Sequence, residues 1–480
     1  MTCPQESTDV HAKALKDADE NKRRRAVEEL ASAGTAAAWA LVASALADAS
    51  PLVADEAQMR LGGIADPAAV EVLFGKSGLD SKDACVRRRA AEALGRIGVE
   101  VDGAGLAKRL GDRDPQVRRG ILRAVEKLAV WERVSEEGRS ALVKRIDQLL
   151  KSEKVLDVRA GALPARFALL PFTLPELWNW LNQKDAGVVR GSATHLASLI
   201  DVNGLIRLYD DAVESSNPGA LRALVDALIA QSSAVSAQSL VSVLERRKQL
   251  RLQWWIADAL QDWSGKTFGL DAELWRGWAD TLSPGWKPPA RTEAVRRLHP
   301  SEPNLCGMPI LSDSMAILVD MTGWTAEEDA GGATGKARFR KELERMLRSL
   351  PQHSTFKLVP YAESPVECGR DWLLEVRLES INGALKCFGE CKASGQDNFL
   401  EAARRALIVP GIDTIVVVTD SAPSGARHVH PDLVLEELTL DNRFRGVFIE
   451  ALLVGSDAEV EKQWKRLCDR WGGRVMTARL

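Results

Sequence analysis

Two aspartates stand where apolar runs end. Asp320 closes the run MAILVD, and Asp420 closes the run DTIVVVTD. In a sheet of parallel strands the carboxyl ends meet at one edge, so both carboxylates are expected on a single rim. Carboxylate oxygens are ligands that suit a hard divalent cation such as Mg²⁺ or Mn²⁺. The two runs therefore indicate a possible cation site.

The second part of the chain alternates strand and helix patterns. Near-continuous apolar strands between amphipathic helices are typical of a doubly wound α/β domain with a mostly parallel sheet, which we predict over residues 312–480. The predicted strands are 315–321, 354–362, 413–420 and 445–455, with RVMTA (474–478) as a possible edge strand. The predicted helices are 335–350, 398–407, 432–442 and 457–472.

Three segments in this region carry a family resemblance. They are LVDMTGW (318–324), SGQDNFLEA (394–402) and VVVTDSAPS (416–424). They resemble the three loops that form the metal-ion-dependent adhesion site of von Willebrand factor A (VWA) domains. The resemblance implies a VWA-like fold and a rim that holds Mg²⁺, whose shell is completed by an acidic group of a protein partner.

The match to that site is partial. Asp320 occupies the first position and Thr322 keeps a hydroxyl at the second, whereas Trp324 stands at the third and cannot coordinate a metal. Asp397 replaces the family's threonine, and Asp420 is kept. The resemblance thus implies a degenerate site whose candidate ligands are Asp320, Thr322, Asp397 and Asp420.

Two interpretations of this degenerate site remain open. Three carboxylates around a divalent cation leave a net charge of about −1, which repels an incoming acidic ligand. Mg²⁺ readily keeps water molecules, so a water could fill the place of a lost hydroxyl. We therefore expect no metal cofactor at ordinary concentrations, with a weak or altered Mg²⁺ or Mn²⁺ site as the alternative.

A repeated unit occupies the first part of the chain. Its copies are DENKRRRAVEEL (19–30), DACVRRRAAEAL (83–94), DPQVRRGILRAV (114–125) and DAGVVRGSATHL (185–196). In each copy an Asp can cap a helix, and small and aliphatic residues recur at helical spacing. A stripe of this kind is buried only when neighbouring units stack.

These copies resemble the second helix of a HEAT repeat. The resemblance implies an all-α, armadillo-like solenoid over residues 10–282, in which Arg87, Arg118 and Arg190 form ladders with aspartates between repeats. We expect residues 1–9 to be disordered and the Pro-rich stretch 283–311 to be a linker. The arginine runs at 23–25 and 87–89 could instead form a phosphate-binding ridge.

Composition narrows the possible functions. The 480 residues carry a net charge of −3, which argues against non-specific nucleic-acid binding as the main activity. An apolar leader and a run of about 18 apolar residues are both absent, so we expect a cytoplasmic protein without membrane contact. The seven cysteines are scattered, and Cys387 and Cys391 have no histidine nearby to complete a zinc set. This pattern favours a reducing compartment.

No recognisable catalytic set occurs in the sequence. Nothing near Asp397 or Asp420 supplies a nucleophile or an oxyanion hole, so we predict that the chain is not an enzyme. The segment HVHPD (428–432) is predicted to be a surface loop rather than a zinc site. The predicted function is a protein–protein interaction scaffold with a docking surface in each half. The alternative is an RNA-binding ribonucleoprotein component, since proteins resembling the Ro autoantigen join a HEAT-like ring to a VWA domain.

Overall fold

A computed structural model describes most of the chain. It covers residues 4–181, 186–200, 204, 218–290, 297–322, 334–369, 372–392 and 395–478. The chain forms two compact units, one of Met1–Leu196 with Arg427–Leu433 and the other of Ala197–Ala426 with Val434–Leu480. These two units do not coincide with the predicted domains, which are a solenoid over 10–282, a linker over 283–311 and an α/β domain over 312–480. The predicted boundaries therefore stay predictions.

The first unit is built from short helices. They are α1 (Pro4–Ala14), α2 (Glu20–Ala33), α3 (Ala36–Ser44), α4 (Pro51–Gly62), α5 (Pro67–Phe74), α6 (Ala84–Leu94), α7 (Gly103–Arg109), α8 (Pro115–Val130), α9 (Glu136–Ser152), α10 (Leu156–Leu169), α11 (Leu174–Leu181) and α12 (Ala186–Leu199), whose last residues pass into the second unit. Asp19, Asp83 and Asp114 cap α2, α6 and α8 by accepting hydrogen bonds from backbone amides. These three predicted caps are therefore confirmed, whereas the fourth, Asp185, lies outside the described residues.

Successive helix pairs stack on one another in this unit. Helices α2, α4, α6, α8 and α10 pack in chain order, and α7 packs on α9 beside them. Their inward stripes are the small and aliphatic residues of the repeat pattern, such as Val86, Ala90 and Leu94 in α6. The prediction of an N-terminal helical-repeat fold is confirmed.

Helix α1 begins inside the stretch that was expected to be disordered. It starts at Pro4 and packs on α2. Proline suits the first turn of a helix, because its missing amide hydrogen would have no partner there. The expectation of disorder over residues 1–9 does not describe residues 4–9.

The arginine ladder follows the resemblance with one change. Arg87 pairs with Asp112 at 2.7 Å, across to the next repeat. Arg118 pairs with Glu153 at 3.0 Å, so a glutamate takes the place of the expected aspartate. Arg190 is buried, as a ladder position requires. The charges fix the stacking of neighbouring repeats rather than facing solvent.

The second unit begins with further helices and continues into a sheet. Its helices before the sheet are α13 (Pro218–Gln231), α14 (Ala234–Arg246), α15 (Leu250–Ser264) and α16 (Ala272–Ala279). The fully buried Trp275 of α16 lies edge-on to Trp278. On α15, Arg251 pairs with Glu450 at 3.3 Å and donates to the Gly472 carbonyl at 2.8 Å. These contacts explain why α15 belongs to the unit that contains the sheet.

A six-stranded sheet forms the centre of this unit. Its order is β5-β4-β3-β6-β7-β8, and every neighbouring pair is parallel except the antiparallel pair of β4 and β5. The strands are β3 (Ser314–Asp320), β4 (Thr355–Tyr361), β5 (Leu374–Glu375), β6 (Thr414–Thr419), β7 (Phe448–Val454) and β8 (Val475–Ala478); a separate ribbon pairs β1 (Asn304–Leu305) with β2 (Met308–Pro309).

Helices cover both faces of the sheet. Met315, Ile317 and Val319 of β3 face one apolar cluster, and Ala316 and Leu318 face the other. The first face is covered by α17 (Gly335–Ser349) and α18 (Leu378–Glu390); the second is covered by α19 (Phe399–Leu407), α20 (Pro431–Asn442) and α21 (Ala458–Arg470). The predicted doubly wound α/β fold is confirmed. Among the described residues, no helix has the length and apolarity needed to cross a bilayer.

Candidate functional site

The three predicted carboxylates meet at the carboxyl end of the central strands. Asp320 is the last residue of β3, and Asp420 directly follows β6, its parallel neighbour. Asp397 lies just before α19, which packs on β3. The charges of Asp320 and Asp420 both act on Asp397, so the structure brings these three side chains together.

Asp320 is the most enclosed of the three. Its Oδ1 accepts hydrogen bonds from the Thr322 amide at 2.8 Å and the Thr322 hydroxyl at 2.7 Å. Its Oδ2 accepts from the Thr419 hydroxyl at 2.7 Å. Thr322 therefore lies beside Asp320, as a ligand pair at this rim requires. The hydroxyls of Thr322 and Thr419 donate hydrogen bonds to this carboxylate. To coordinate a cation, each hydroxyl oxygen would have to direct a lone pair towards the ion.

Asp397 is poorly satisfied. Its Oδ2 accepts from the Ser424 hydroxyl at 2.8 Å, whereas its Oδ1 is buried without a hydrogen-bond partner among the described residues. Burial and the negative charges of Asp320 and Asp420 raise its pKa to about 7. A cation placed at Oδ1 would supply both the missing partner and the missing positive charge.

Asp420 completes the group of three carboxylates. It is half-buried, and its Oδ1 accepts from the Ser421 hydroxyl at 3.0 Å. The family resemblance leads to glycine at position 421, and the serine that stands there instead adds a hydroxyl at the rim. The described side chains named at this rim offer carboxylates and hydroxyls, which form a donor set suited to a hard divalent cation.

Sequence reasoning missed part of this rim. Thr419 donates a hydrogen bond to Asp320, and Ser424 donates one to Asp397. Burial raises the pKa of Tyr361, and the negative charges of Asp397 and Asp320 raise it further. Thr419 directly precedes Asp420, so strand register could have identified it. Trp324, the residue predicted to crowd the site, lies outside the described residues.

A second buried carboxylate lies in the helical unit. Asp55 of α4 is 1% exposed and accepts hydrogen bonds from the amides of Val429 and His430, at 2.7 and 2.9 Å. Its other oxygen lies 2.8 Å from Nδ1 of His428 and accepts from Arg89 at 2.7 Å. Although burial opposes ionisation, these partners hold the pKa of Asp55 below its usual value.

The segment HVHPD is therefore not the surface loop that was predicted. His428 is 1% exposed, and burial lowers its pKa despite the neighbouring carboxylate of Asp55. A neutral His428 can donate Nδ1–H to the Asp55 carboxylate. No pattern in the sequence indicates this contact, because Asp55 and His428 are 373 positions apart.

Comparisons with known proteins agree with the helical part. A family model described as HEAT repeats matches residues 8–95 and 41–126. No curated protein matches the chain.

Similar solved structures include two VWA proteins. One is a von Willebrand factor type A protein from Catenulispora acidiphila, with 17% identity, a TM-score of 0.27, and coverage of 35% of this chain and 38% of that one. Another is the VWA domain of SpRpn10, with 13% identity, a TM-score of 0.27, and coverage of 35% and 87%. This chain therefore spans well under half of the first protein.

An engineered protein is also similar, with 20% identity, a TM-score of 0.27, and coverage of 57% of this chain and 82% of that one. These TM-scores are low, so the C-terminal fold is assigned from its strand order and covered faces. The chain combines N-terminal helical repeats, matched by a HEAT-repeat model between residues 8 and 126, with a C-terminal doubly wound α/β fold.

Proposed function

We propose that the chain is a non-enzymatic scaffold that binds protein partners through its HEAT-repeat unit and through the rim of its VWA-like sheet. Exposed apolar side chains at one end of two neighbouring helices carry the first part of this proposal. Trp131 and Leu170, the residues that follow α8 and α10, are 46% and 52% exposed, and the neighbouring Val130 is 66% exposed.

These residues share one edge because α8 and α10 run parallel. Arg118 near the start of α8 pairs with Glu153 just before α10, and Leu122 lies beside Gly161 halfway along. The two helices therefore end together. Large apolar side chains that cluster at an edge, rather than singly, are typical of a docking surface.

The scaffold is tested by affinity capture with the full-length chain. We expect at least one protein from the source organism to be retained by wild type and lost in Trp131→Glu with Leu170→Glu. Leu156→Glu is the matched control, because Leu156 is 59% exposed at the opposite end of α10. Equal capture by all three proteins would contradict a docking role for this edge.

At the rim, the proposal is that Asp320, Thr322, Asp397 and Asp420 hold a divalent cation only weakly. Asp397 Oδ1, buried and without a described partner, supports the presence of a cation position. The surplus negative charge of three carboxylates and the tryptophan at position 324 argue against a strong site. Calorimetric titration with Mg²⁺ and Mn²⁺ tests this, since micromolar binding that disappears in Asp320→Ala would overturn it.

The RNA-binding alternative rested on two arginine runs. Arg88 and Arg89 are nearly inaccessible and pair with Glu92 and Asp55, at 3.1 and 2.7 Å. Arg23 pairs with Asp48 at 2.8 Å. Guanidinium groups engaged in this way are not available to phosphates. We therefore expect no shift of structured RNA on a gel at physiological salt; a shift with a steep salt dependence would restore the alternative.

A further inference from the structure

Three cysteine sulfurs gather beside the sheet, away from the carboxylate rim. The Sγ atoms of Cys368, Cys387 and Cys391 all lie within 4.8 Å of one another. Cys368 and Cys387 form a disulfide, and Cys391 is free. The sequence predicted scattered thiols, because Cys368 and Cys387 are 19 positions apart and no local pattern reports their proximity.

The backbone holds each sulfur in place. The Cys368 amide donates to the Leu358 carbonyl of β4 at 3.0 Å. Cys387 lies in the last turn of α18, and Cys391 ends that helix, its amide donating to the Cys387 carbonyl at 3.1 Å. Both elements are packed into the apolar cluster on this face of the sheet. The three sulfurs would therefore remain neighbours after the disulfide is reduced.

The surroundings favour a soft ion. Among the described residues, this group of potential ligands contains three sulfurs and neither an imidazole nor a carboxylate. Cys368 is buried, whereas Cys387 and Cys391 are half-buried and can be reached from solvent. Lys336 places a positive charge nearby, since its Nζ donates to the Cys391 carbonyl at 2.7 Å.

We propose that the reduced forms of Cys368, Cys387 and Cys391 bind one Zn²⁺ ion through three thiolates. Zinc–sulfur bonds are about 2.3 Å long, so three sulfurs at these separations can reach a common ion. Three thiolates and Zn²⁺ carry a net charge of −1, which the ammonium group of Lys336 offsets. A water molecule or an external ligand takes the fourth position.

Oxidation and zinc binding exclude each other at this site. When hydrogen peroxide is the oxidant, the thiolates of Cys368 and Cys387 give up two electrons and join in an S–S bond. The peroxide O–O bond breaks, two protons are taken up, and two water molecules form. Zn²⁺ then loses two of its three protein ligands and leaves. A dithiol reductant restores the thiolates by exchange.

Cobalt titration of the full-length protein tests the site. Co²⁺ is the probe, because thiolate-bound Co²⁺ shows a sulfur-to-metal charge-transfer band that Zn²⁺ abolishes on displacement. We expect one equivalent to bind to the reduced protein and none to the peroxide-treated protein. Cys391→Ser should weaken binding at least about tenfold, as loss of one ligand implies. Cys306→Ser is the matched control and should leave the band unchanged, since Cys306 lies outside the group.

A second readout does not depend on any variant. Zn²⁺ should slow the alkylation of Cys368, Cys387 and Cys391 in the reduced wild-type protein, as measured by peptide mass spectrometry, and leave Cys306 unaffected. The proposal is overturned if reduced wild type gives no charge-transfer band, if Cys391→Ser retains it at equal affinity, or if Zn²⁺ protects none of the three cysteines.

Discussion

Asp55 in the helical unit is buried and Asp397 at the sheet rim is partly buried, and their surroundings are opposite. Asp55 has two backbone amides, His428 and a guanidinium as partners, and its pKa is lowered. Asp397 has the Ser424 hydroxyl on Oδ2 and the Phe399 amide as partners, but burial and the like charges nearby raise its pKa. Burial therefore does not by itself mark a functional carboxylate. A carboxylate oxygen that is buried without a hydrogen-bond partner is a better mark of function, because such an oxygen contributes nothing to stability.

The largest expected effect comes from removing the satisfied carboxylate. Asp55→Ala leaves Arg89 buried without its anion, which typically costs about 3–5 kcal/mol of the free energy of unfolding. Urea denaturation followed by circular dichroism measures the loss. Asp80→Ala is the control, because Asp80 pairs with Arg109 at a half-exposed position and should cost less than about 1 kcal/mol. If the two variants lost the same free energy of unfolding, the partners of Asp55 would contribute no more than those of an exposed ion pair.

Neutralising the unsatisfied carboxylate should have the opposite sign. The folded-state pKa of Asp397, about 7, lies above that of an unfolded aspartate. The contribution of Asp397 to the free energy of unfolding should therefore fall as pH rises from about 4 to 7 and level off above that; it is measured as the difference between wild type and Asp397→Asn. Asp397→Asn, which still accepts from Ser424, should be more stable than wild type by about 1–3 kcal/mol at pH 8 in the presence of a chelator. If Asp397→Asn were no more stable than wild type at pH 8, the ionised Asp397 carboxylate would not destabilise the fold.

A smaller effect should follow the acid titration of His428. Its folded-state pKa is lowered by burial, so the stability that the neutral ring contributes is present above pH of about 6.5 and is lost as pH falls through the folded pKa. His428→Asn keeps a donor for Asp55 but cannot gain a proton. Denaturation midpoints between pH 7 and 5 should therefore decline less in the variant than in wild type. Parallel declines would mean that His428 does not titrate in this range.

The smallest effect should be stabilisation by Mg²⁺. At a free concentration equal to the dissociation constant, binding adds only about 0.4 kcal/mol. Millimolar Mg²⁺ should raise the thermal midpoint slightly in wild type and not in Asp320→Ala. A large rise would show that the rim binds cations far better than its ligand set implies, and a rise in Asp320→Ala would place the cation elsewhere.

Much of the fold could be predicted from local patterns. Apolar runs such as Ile415–Val418 and the repeated Asp caps determine local structure strongly, so β6 and the repeat helices lie where they were expected. Helix α18 was missed, since Gly383 and Gly389 interrupt its pattern and lower its intrinsic helix propensity. The strand β5 has only two residues and leaves no periodic signal.

The candidate site was predictable where strand ends mark it and, for Thr322 and Asp397, from the family resemblance of their segments. Asp320 and Asp420 close their strands, and parallel topology then brings them together. The partners of Asp55 and the meeting of Cys368 with Cys391 depend on tertiary packing between distant segments. A single sequence contains no periodicity that reports such contacts.

The membership of residues 427–433 in the helical unit has a practical consequence for truncation. This short stretch is encoded between a strand and a helix of the other unit, so the polypeptide enters the helical unit twice. A fragment that ends at the proline-rich stretch would lack the amides that solvate Asp55 and would leave its ion pair with Arg89 open to water. A single truncation therefore does not yield either unit intact. Fragment studies of the helical unit need residues 427–433 added as a separate peptide or fused to the fragment.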